Sequence, residues 1–316
     1  MENPASNTIA DLTPDELEAP PLSLGQLTWR RFRRHKMAIF GSLMLIFLLL
    51  YAFTGSLLLS EKYANFTDTG SRLQPPSLEH PFGTDTVGRD ILARTIYGGQ
   101  ISIIIGITAM LVETLLGVLV GSLAGYYGGV LDSILMRITE AIIVIPQIFL
   151  LLVMAKFFGG DVADVTLMGR TFSGSVIVIV LIIGATSWPY LARIVRAEFL
   201  SIKENEYILA ARAIGTPTYE IILRHIMPNS FAPIVVSATL GVASAITTEA
   251  YISFLGLGVR PPTATWGNML EGAYNYIESA YWLWLFPGVL IALIVLSINF
   301  VGDGLRDALD PHSRAV

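Results

Sequence analysis

Long apolar blocks separated by short polar segments dominate the pattern of hydrophobic and polar positions along the chain. The first block runs from Met37 to Leu59 without a charged residue and follows a basic cluster at residues 30–36. About 20 consecutive apolar residues span the hydrocarbon core of a bilayer as an α-helix. The five other blocks are residues 100–124, 133–157, 175–196, 231–254 and 284–302. The pattern predicts an all-α polytopic membrane protein with six transmembrane helices, kinked or re-started near Pro146 in the third and near Pro189 in the fourth.

The composition agrees with this prediction and excludes several classes of site. Of the 316 residues, 53% are hydrophobic and 14% are charged, whereas about a quarter of a soluble domain is charged. The chain has no cysteine, which excludes disulfides, thiolate metal sites and cysteine nucleophiles. Its four histidines are far apart in sequence, so no metal site is predicted. The net charge of −5, with no long basic run after the membrane segments, argues against nucleic acid as a partner.

The distribution of Lys and Arg predicts the orientation. If six spans alternate, 13 of these residues lie on the side of the two chain ends and six lie on the other side. Because cytoplasmic loops carry the excess of positive charge, both ends are expected in the cytoplasm. Segment 1–29 carries five acidic and no basic residues, and we expect a disordered cytoplasmic tail rather than a cleaved signal. Segment 30–60 would hold the basic cluster and first helix, 61–98 an extracytoplasmic loop, and 304–316 a cytoplasmic C-terminus.

The longest cytoplasmic loop, residues 197–230, has the signals of two helices joined by a sharp turn. A helix is predicted over 198–214 and would end at Gly215, because glycine adopts the left-handed conformation without strain. Thr216 would cap a second helix with Pro217 at its first position, and Pro228 would end it. The residues alone leave two interpretations open, a tight connection on the membrane surface or a docking element.

Four regions of the sequence, the first of them in two parts, resemble one family. Residues 207–215 (YILAARAIG) and 221–229 (IILRHIMPN) resemble the "EAA" loop of bacterial ABC importer permeases, although the glutamate of that family falls at Leu209 here. Residues 80–94, 253–270 and 302–311 resemble the "C" subunit of the dipeptide/oligopeptide branch. The resemblance implies a type I ABC importer permease fold over 99–303. It also implies that the loop contacts an ATPase subunit through Ala210, Ala211, Gly215, Thr216, Pro217, Arg224 and Pro228.

The resemblance further implies several partners in a prokaryotic cytoplasmic membrane. These are a homologous second permease, two ATPase subunits or a homodimer of one, a peptide-binding protein outside, and membrane lipid. No lysine of this chain lies in the phosphate-binding pattern G-x-x-x-x-G-K-[ST], so ATP and Mg²⁺ are expected on the ATPase subunits, with no cofactor bound by this chain. The binding protein is expected to dock on segments 60–98 and 255–283, through Asp85, Arg89, Asp90 and Trp266.

The few charged residues within the apolar blocks suggest further roles. Glu113 and Glu249 are candidates for the substrate path, because a carboxylate in a membrane is costly unless it faces protein, water or a ligand. Glu140 is expected to pair with Arg137, and the glycines at 117 and 121 to allow close helix packing. The resemblance implies import of di- or oligopeptides, and the same machinery could instead import nickel, opines or oligosaccharides. An ion-driven secondary transporter and a membrane anchor without a transport role are the rival classes.

Overall fold

A computed structural model provides the structure of the chain and describes residues 23–158, 162–167 and 170–310. Most of the acidic tail and the last six residues, 311–316, lie outside this part. The helices are Leu24–Arg34 (α1), Lys36–Leu58 (α2), Glu61–Asn65 (α3), Ile91–Tyr127 (α4), Gly129–Val144 (α5), Gln147–Phe158 (α6), Gly174–Ile202 (α7), Glu206–Ala213 (α8), Thr218–Glu220 (α9), Met227–Asn229 (α10), Phe231–Phe254 (α11) and Trp282–Leu309 (α12). Two short strands, Val165–Leu167 (β1) and Arg170–Phe172 (β2), form an antiparallel pair that was not predicted.

Helix α1 begins earlier than the sequence indicates. Ser23 Oγ accepts a hydrogen bond from the backbone N–H of Gln26 at 3.3 Å, and Gln26 Oε1 accepts one from Ser23 N–H at 2.9 Å. This capping box satisfies the free N–H groups that start the helix. Residues 24–29 are therefore helical, and the prediction of disorder is wrong for them. Phe32 then packs against Ala308, which fixes α1 on the last helix.

Helix α4 is the longest element, with 37 residues. At 1.5 Å per residue it is about 55 Å long, whereas the hydrocarbon core of a bilayer is about 30 Å thick. The helix begins after Asp90, whose Oδ1 accepts a hydrogen bond from Ala93 N–H at 2.8 Å. The predicted loop 61–98 therefore ends at Asp90, and the predicted helix start at residue 100 is wrong. The reason is that α4 extends beyond the apolar block from which its start was predicted.

Pro146 divides the third predicted span into two helices. The axes of α5 and α6 differ by 88°, and Ile145 between them has an extended backbone. Proline lacks an N–H group and disfavours the helical conformation in the residue before it, so the predicted re-start is confirmed. Arg137 Nη1 and Glu140 Oε2 form the predicted ion pair at 3.2 Å. Within the described residues, five helices are long and apolar enough to cross a membrane, or six if the bent pair is one span.

Helix α7 runs through Pro189 without a break, so of the two outcomes predicted there the re-start is wrong and the kink stays a prediction. Trp188, Pro189 and Leu191 are buried, so one face of this part of α7 packs inside the bundle, whereas Tyr190 is exposed. Proline is tolerated inside membrane helices because neighbouring helices and local adjustments compensate for the lost backbone hydrogen bond. Pro146 has a different effect, because it lies between α5 and α6 and separates them.

Closely packed glycines join α4 to α7. A Cβ atom at Gly117 would lie 2.9 Å from Leu191 Cβ, and one at Gly121 would lie 2.5 Å from Ala192 O. Gly125 continues the row, because its Cβ would lie 2.6 Å from Phe199 Cβ. Small residues four apart let two helix backbones approach closely, and the predicted packing role of residues 117 and 121 is confirmed. The two helices run parallel, so their C-terminal ends lie together at one end of the bundle.

The surface of the helices is apolar, as contact with lipid requires. Phe40, Leu43 and Phe47 of α2 are each more than half exposed, whereas Leu48 is buried in the core. Large exposed apolar surfaces mark contact with a membrane or another protein. We name the end of the bundle that holds α1 and the C-terminal ends of α4, α7 and α12 the loop end. The other end, which holds the segment before α4, is the opposite end.

Candidate functional site

The 203–230 loop, which joins α7 to α11 at the loop end, folds around a sharp glycine turn. Gly215 has φ +81°, a left-handed conformation that glycine adopts without strain. Its N–H donates to Arg212 O at 3.0 Å, and Thr216 N–H donates to Ala211 O at 3.1 Å. These two hydrogen bonds form a Schellman motif, which satisfies carbonyl groups at the end of α8. The turn predicted at Gly215 is confirmed.

The helix boundaries on either side of this turn differ from the prediction. The predicted helix 198–214 is two helices, because Asn205 has an extended backbone (φ −68°, ψ 143°) and serves as the N-cap of α8. After the turn, Pro217 rather than Thr216 is the N-cap residue of α9. The predicted capping role of Thr216 is therefore wrong, because its N–H belongs to the glycine turn and the helix starts one residue later.

Pro228 does not end the second helix of the loop, contrary to the prediction. Residues 221–226 widen into a π-helical turn, in which Met227 N–H donates to Ile222 O. The N–H of residue 227 thus bonds to the carbonyl five residues back instead of four. This change comes just before Pro228, which has no N–H to contribute to a helix. The side-chain amide of Asn229 donates to a carbonyl of the preceding turn at 2.6 Å. The chain therefore stays helical past Pro228 and continues into α11.

The face of the loop that points to the bundle forms a hydrophobic core. Ile208 of α8 and Ile221 and Ile226 of the π-turn are buried. They belong to one cluster with Phe199 of α7 and Ile234 of α11. Burying an isoleucine side chain contributes about 1.5–3 kcal/mol, so this core holds the loop against two bundle helices.

Polar contacts add a second attachment, which the sequence analysis did not identify. Lys203 Nζ donates to Gly125 O at the end of α4, at 3.0 Å. Arg212 of α8 lies over the ring of Tyr126, 5.2 Å from its centroid, at a distance typical of a cation–π contact. Nearby, Arg196 Nη2 of α7 donates to Asp132 Oδ2 of α5 at 2.6 Å. In the sequence, the Lys and Arg residues between α7 and α11 predicted the orientation of the chain in the membrane. They did not indicate the residues that Lys203, Arg212 and Arg196 contact.

The outer face of the loop exposes large apolar side chains. Ile214 is 83% exposed, Tyr219 68% and Leu223 61%. Arg224 beside them is exposed and forms an ion pair with Glu220. Of the residues predicted to couple to an ATPase, Ala210, Gly215, Pro217, Arg224 and Pro228 are exposed, Thr216 is half-buried, and Ala211 is buried. The loop thus presents an apolar surface beside a charged pair, on a base that is packed against the bundle.

Comparison with known families identifies the chain. Residues 117–315 match the family described as "Binding-protein-dependent transport system inner membrane component". The chain belongs to this family. Residues 23–76 of the permease also match the "N-terminal TM domain of oligopeptide transport permease C".

Curated relatives cover nearly the whole permease. The dipeptide transport system permease protein of Bacillus subtilis (strain 168) is 39% identical over 301 residues, which are 95% of this chain and 89% of the relative. The protein of the same name from Alkalihalophilus pseudofirmus is 38% identical over 310 residues, which are 96% of this chain and 97% of the relative. Both matches run through the membrane helices and the 203–230 loop.

A solved structure confirms the predicted fold of the permease. A chain of an inward-facing methionine ABC transporter superposes with a TM-score of 0.52 at 20% identity, covering 67% of this chain and 94% of that chain. At this identity the match establishes the fold alone. The ABC importer permease fold predicted from the sequence is therefore confirmed.

The two membrane glutamates have different surroundings in the permease. Glu249 is fully buried, and its carboxylate accepts hydrogen bonds from Ser253 Oγ at 2.7 Å and Ser102 Oγ at 3.2 Å. These contacts join α4 and α11, and a role of Glu249 in the substrate path stays a prediction. Glu113 is half-buried, and its Oε2 lies 3.3 Å from the position of a Cβ at Gly241. A role of Glu113 in the path stays a prediction.

At the opposite end, the predicted docking residues also differ from one another. Trp266 is fully buried, with Nε1 donating to a carbonyl of α4 at 2.8 Å. Asp90 is buried, caps α4 and lies 2.8 Å from His80 Nδ1. Both side chains have their partners inside the fold, and the docking roles predicted for Trp266 and Asp90 stay predictions. Asp85 and Arg89 are half-buried, and their docking role stays a prediction.

Proposed function

We propose that this permease is a pore-forming subunit of an ATP-driven importer and that its 203–230 loop receives an ATPase subunit. The observation that carries the proposal is the structure of the loop. Its outer face is apolar and exposed, its inner face is packed against α7 and α11, and the glycine turn fixes the shape of the chain between α8 and the π-turn. An exposed apolar patch of this kind marks a protein or membrane contact. The family of the permease supports a protein contact, since its members are components of binding-protein-dependent transport systems.

The loop is more elaborate than a connection requires. Helix–helix connections in bundles commonly need about 2–8 residues, whereas this one contains α8, the glycine turn and the π-turn. Its buried residues contact α7 and α11, and Lys203 reaches the end of α4. A force applied to the outer face would therefore reach three bundle helices. This is the arrangement that coupling to a moving ATPase subunit requires.

ATP hydrolysis is assigned to partner subunits. The phosphate-binding pattern has a glycine before its lysine, and the residues before the four lysines of this chain are His35, Glu61, Ala155 and Ile202. The complete importer would contain a second, homologous permease, two ATPase subunits with bound ATP and Mg²⁺, and an extracytoplasmic binding protein. The loop end would face the cytoplasm, which the excess of 13 Lys and Arg over six supports.

The cargo is assigned as di- or oligopeptides. Two observations support this class: the relatives in Bacillus subtilis and Alkalihalophilus pseudofirmus are named for dipeptide transport, and residues 23–76 match the N-terminal domain of an oligopeptide permease. The match at residues 23–76 includes α1, α2 and part of the segment before α4. The likeness to peptide permeases therefore extends beyond residues 117–315, which match the wider family.

The experiment that tests this proposal compares Gly215→Val with Gly129→Val. Both glycines have positive φ, +81° and +58°, and neither has a heavy atom within 4 Å of an added Cβ. A side chain in this conformation costs about 1–2 kcal/mol at either position, so the local strain is matched. Only Gly215 lies in the loop. We expect Gly215→Val to enter the membrane but to recover fewer ATPase subunits in co-purification and to lose transport.

Gly129→Val, at the turn between α4 and α5, should retain the ATPase subunits and most transport. If Gly215→Val keeps parental binding and transport, the loop does not receive the ATPase. Equal losses in both variants would also contradict the proposal, because they would trace the defect to general strain. Membrane content and monodispersity of each purified variant show whether it has folded.

A further inference from the structure

A small cavity at the opposite end of the bundle lies away from the 203–230 loop. It has a volume of about 70 Å³ and is lined by charged and polar side chains, among them Asp85, Arg89, Arg94, Asn268 and Glu271. A space of about 10–15 Å³ holds one water molecule, so this cavity is large enough for a small charged group such as a carboxylate. The walls come from the segment before α4, the first turn of α4 and the segment before α12.

Arg94 is the most deeply placed charge in this wall, with only 3% of its surface exposed. Within the described part of the chain, its guanidinium donates one hydrogen bond, from Nη1 to Asn65 Oδ1 at 3.2 Å. Its nearest ion-pair partner is Asp85 Oδ2, which lies 3.9 Å from Arg94 Nε, beyond hydrogen-bond distance. A guanidinium group has five N–H donors in a planar fork. The cavity wall therefore holds a buried cation with unused donors.

Two of the three acidic groups around the cavity, Asp85 and Asp90, are engaged by other partners. Asp85 Oδ2 accepts from Arg89 Nε at 2.6 Å, and Asp85 Oδ1 accepts from two backbone N–H groups at 2.9 Å. Asp90 caps α4 and contacts His80. Glu271 is exposed and forms no ion pair with another residue that the structure describes. Two arginines thus share one close carboxylate, Asp85, and the second carboxylate in the lining, Glu271, forms no ion pair with Arg94 in the described part of the chain.

We propose that this cavity binds a carboxylate group, with Arg94 as its anchor. A carboxylate fits the planar fork of a guanidinium through two parallel hydrogen bonds, and it supplies the counter-charge that a buried cation requires. The carboxylate comes from a small anion such as acetate or from the free C-terminus of a peptide. Only the peptide source rests on the proposed function.

Ligand-detected NMR on the purified importer complex in nanodiscs tests this site. The probes are acetate, the dipeptide Ala-Ala and its C-terminal amide. We expect acetate and Ala-Ala to bind and the amide to bind at least tenfold more weakly, since the amide has no charge to pair with the guanidinium. Arg94→Gln should weaken acetate and Ala-Ala binding at least tenfold. Arg260→Gln is the control, because Arg260 is an exposed arginine at the same end, and it should bind as the parent does.

Arg94→Lys keeps the charge but loses the planar fork, so we expect acetate binding about three- to tenfold weaker than in the parent. This variant carries the test if Arg94→Gln does not assemble. Parental acetate binding in Arg94→Gln or in Arg94→Lys overturns the proposal, as does a lack of acetate binding by the parent. Equal binding of Ala-Ala and its amide excludes the peptide source. Acetate binding without Ala-Ala binding keeps the carboxylate site and excludes the peptide source. The acetate result does not depend on whether the complex transports peptides.

Discussion

The contact between α4 and α7 at Gly121 allows a prediction of magnitude. A Cβ at this position would lie 2.5 Å from Ala192 O and 2.7 Å from Val195 Cβ. Carbon atoms in favourable contact are about 3.5–4.0 Å apart, so even one methyl group requires the helices to separate by about 1 Å. Valine adds two further methyl groups to this contact. Overpacking of a core typically costs about 1–3 kcal/mol, and we expect Gly121→Val to destabilise the permease by about 2–3 kcal/mol.

Gly288→Val is the matched control. Gly288 also lies in a membrane helix, α12, but no heavy atom is within 4 Å of an added Cβ. Valine has a slightly higher helix propensity than glycine, so this change should alter the free energy of unfolding by less than about 0.5 kcal/mol. The pair separates the effect of packing from that of helix propensity.

The assay is unfolding of each purified variant in mixed micelles with increasing sodium dodecyl sulfate, followed by the loss of helical circular dichroism. Gly121→Val should unfold at a clearly lower detergent fraction than the parent, and Gly288→Val should follow the parent. If both variants unfold with the parent, the α4–α7 contact does not have the tightness described here. If both are destabilised equally, the loss comes from glycine replacement in general rather than from this contact.

Two further predictions concern orientation and the polar contacts at the loop end. A reporter fused after Gly70 should read as external and one at Asn205 as cytoplasmic, and opposite signals at either site would contradict the charge-based topology. Asp132→Asn should weaken the contact with Arg196 and lower the free energy of unfolding by about 1–3 kcal/mol, since hydrogen bonds to charged groups are the stronger class. Glu140→Gln, which alters an exposed ion pair, should change the free energy of unfolding by less than about 1 kcal/mol. Equal effects of the two substitutions would contradict the stronger contribution expected of the Asp132–Arg196 contact.

Much of the fold could be predicted from local patterns. The apolar blocks identified the membrane helices, because a bilayer imposes a minimum length on each one. Gly215 was predictable for a similar reason, since a glycine after an alanine-rich helix is a strong signal for a left-handed end. The start of α4 was not predictable in this way. Residues 91–99 continue the helix beyond the apolar block, where the hydrophobic pattern no longer marks it.

The effects of single prolines and charges depended on tertiary contacts that a sequence does not display. Pro146 interrupts a helix, whereas Pro189 lies inside one, and only the neighbouring packing separates the two cases. The membrane glutamates could be identified as unusual, but the burial of Glu249 between serines comes from segments far apart in the chain. For the same reason Arg94 gave no signal, because its partners Asn65 and Asp85 lie in a different segment.

The most direct test of the account is ATP-driven uptake of a labelled dipeptide by proteoliposomes that contain the complete importer. We predict that the dipeptide accumulates only when this permease, its partner permease and the ATPase subunits are present, with binding protein outside and ATP and Mg²⁺ inside. Replacing ATP by a non-hydrolysable analogue should stop accumulation. Uptake that follows an imposed ion gradient without ATP hydrolysis would contradict the account, as would accumulation of the dipeptide by complexes that lack this chain.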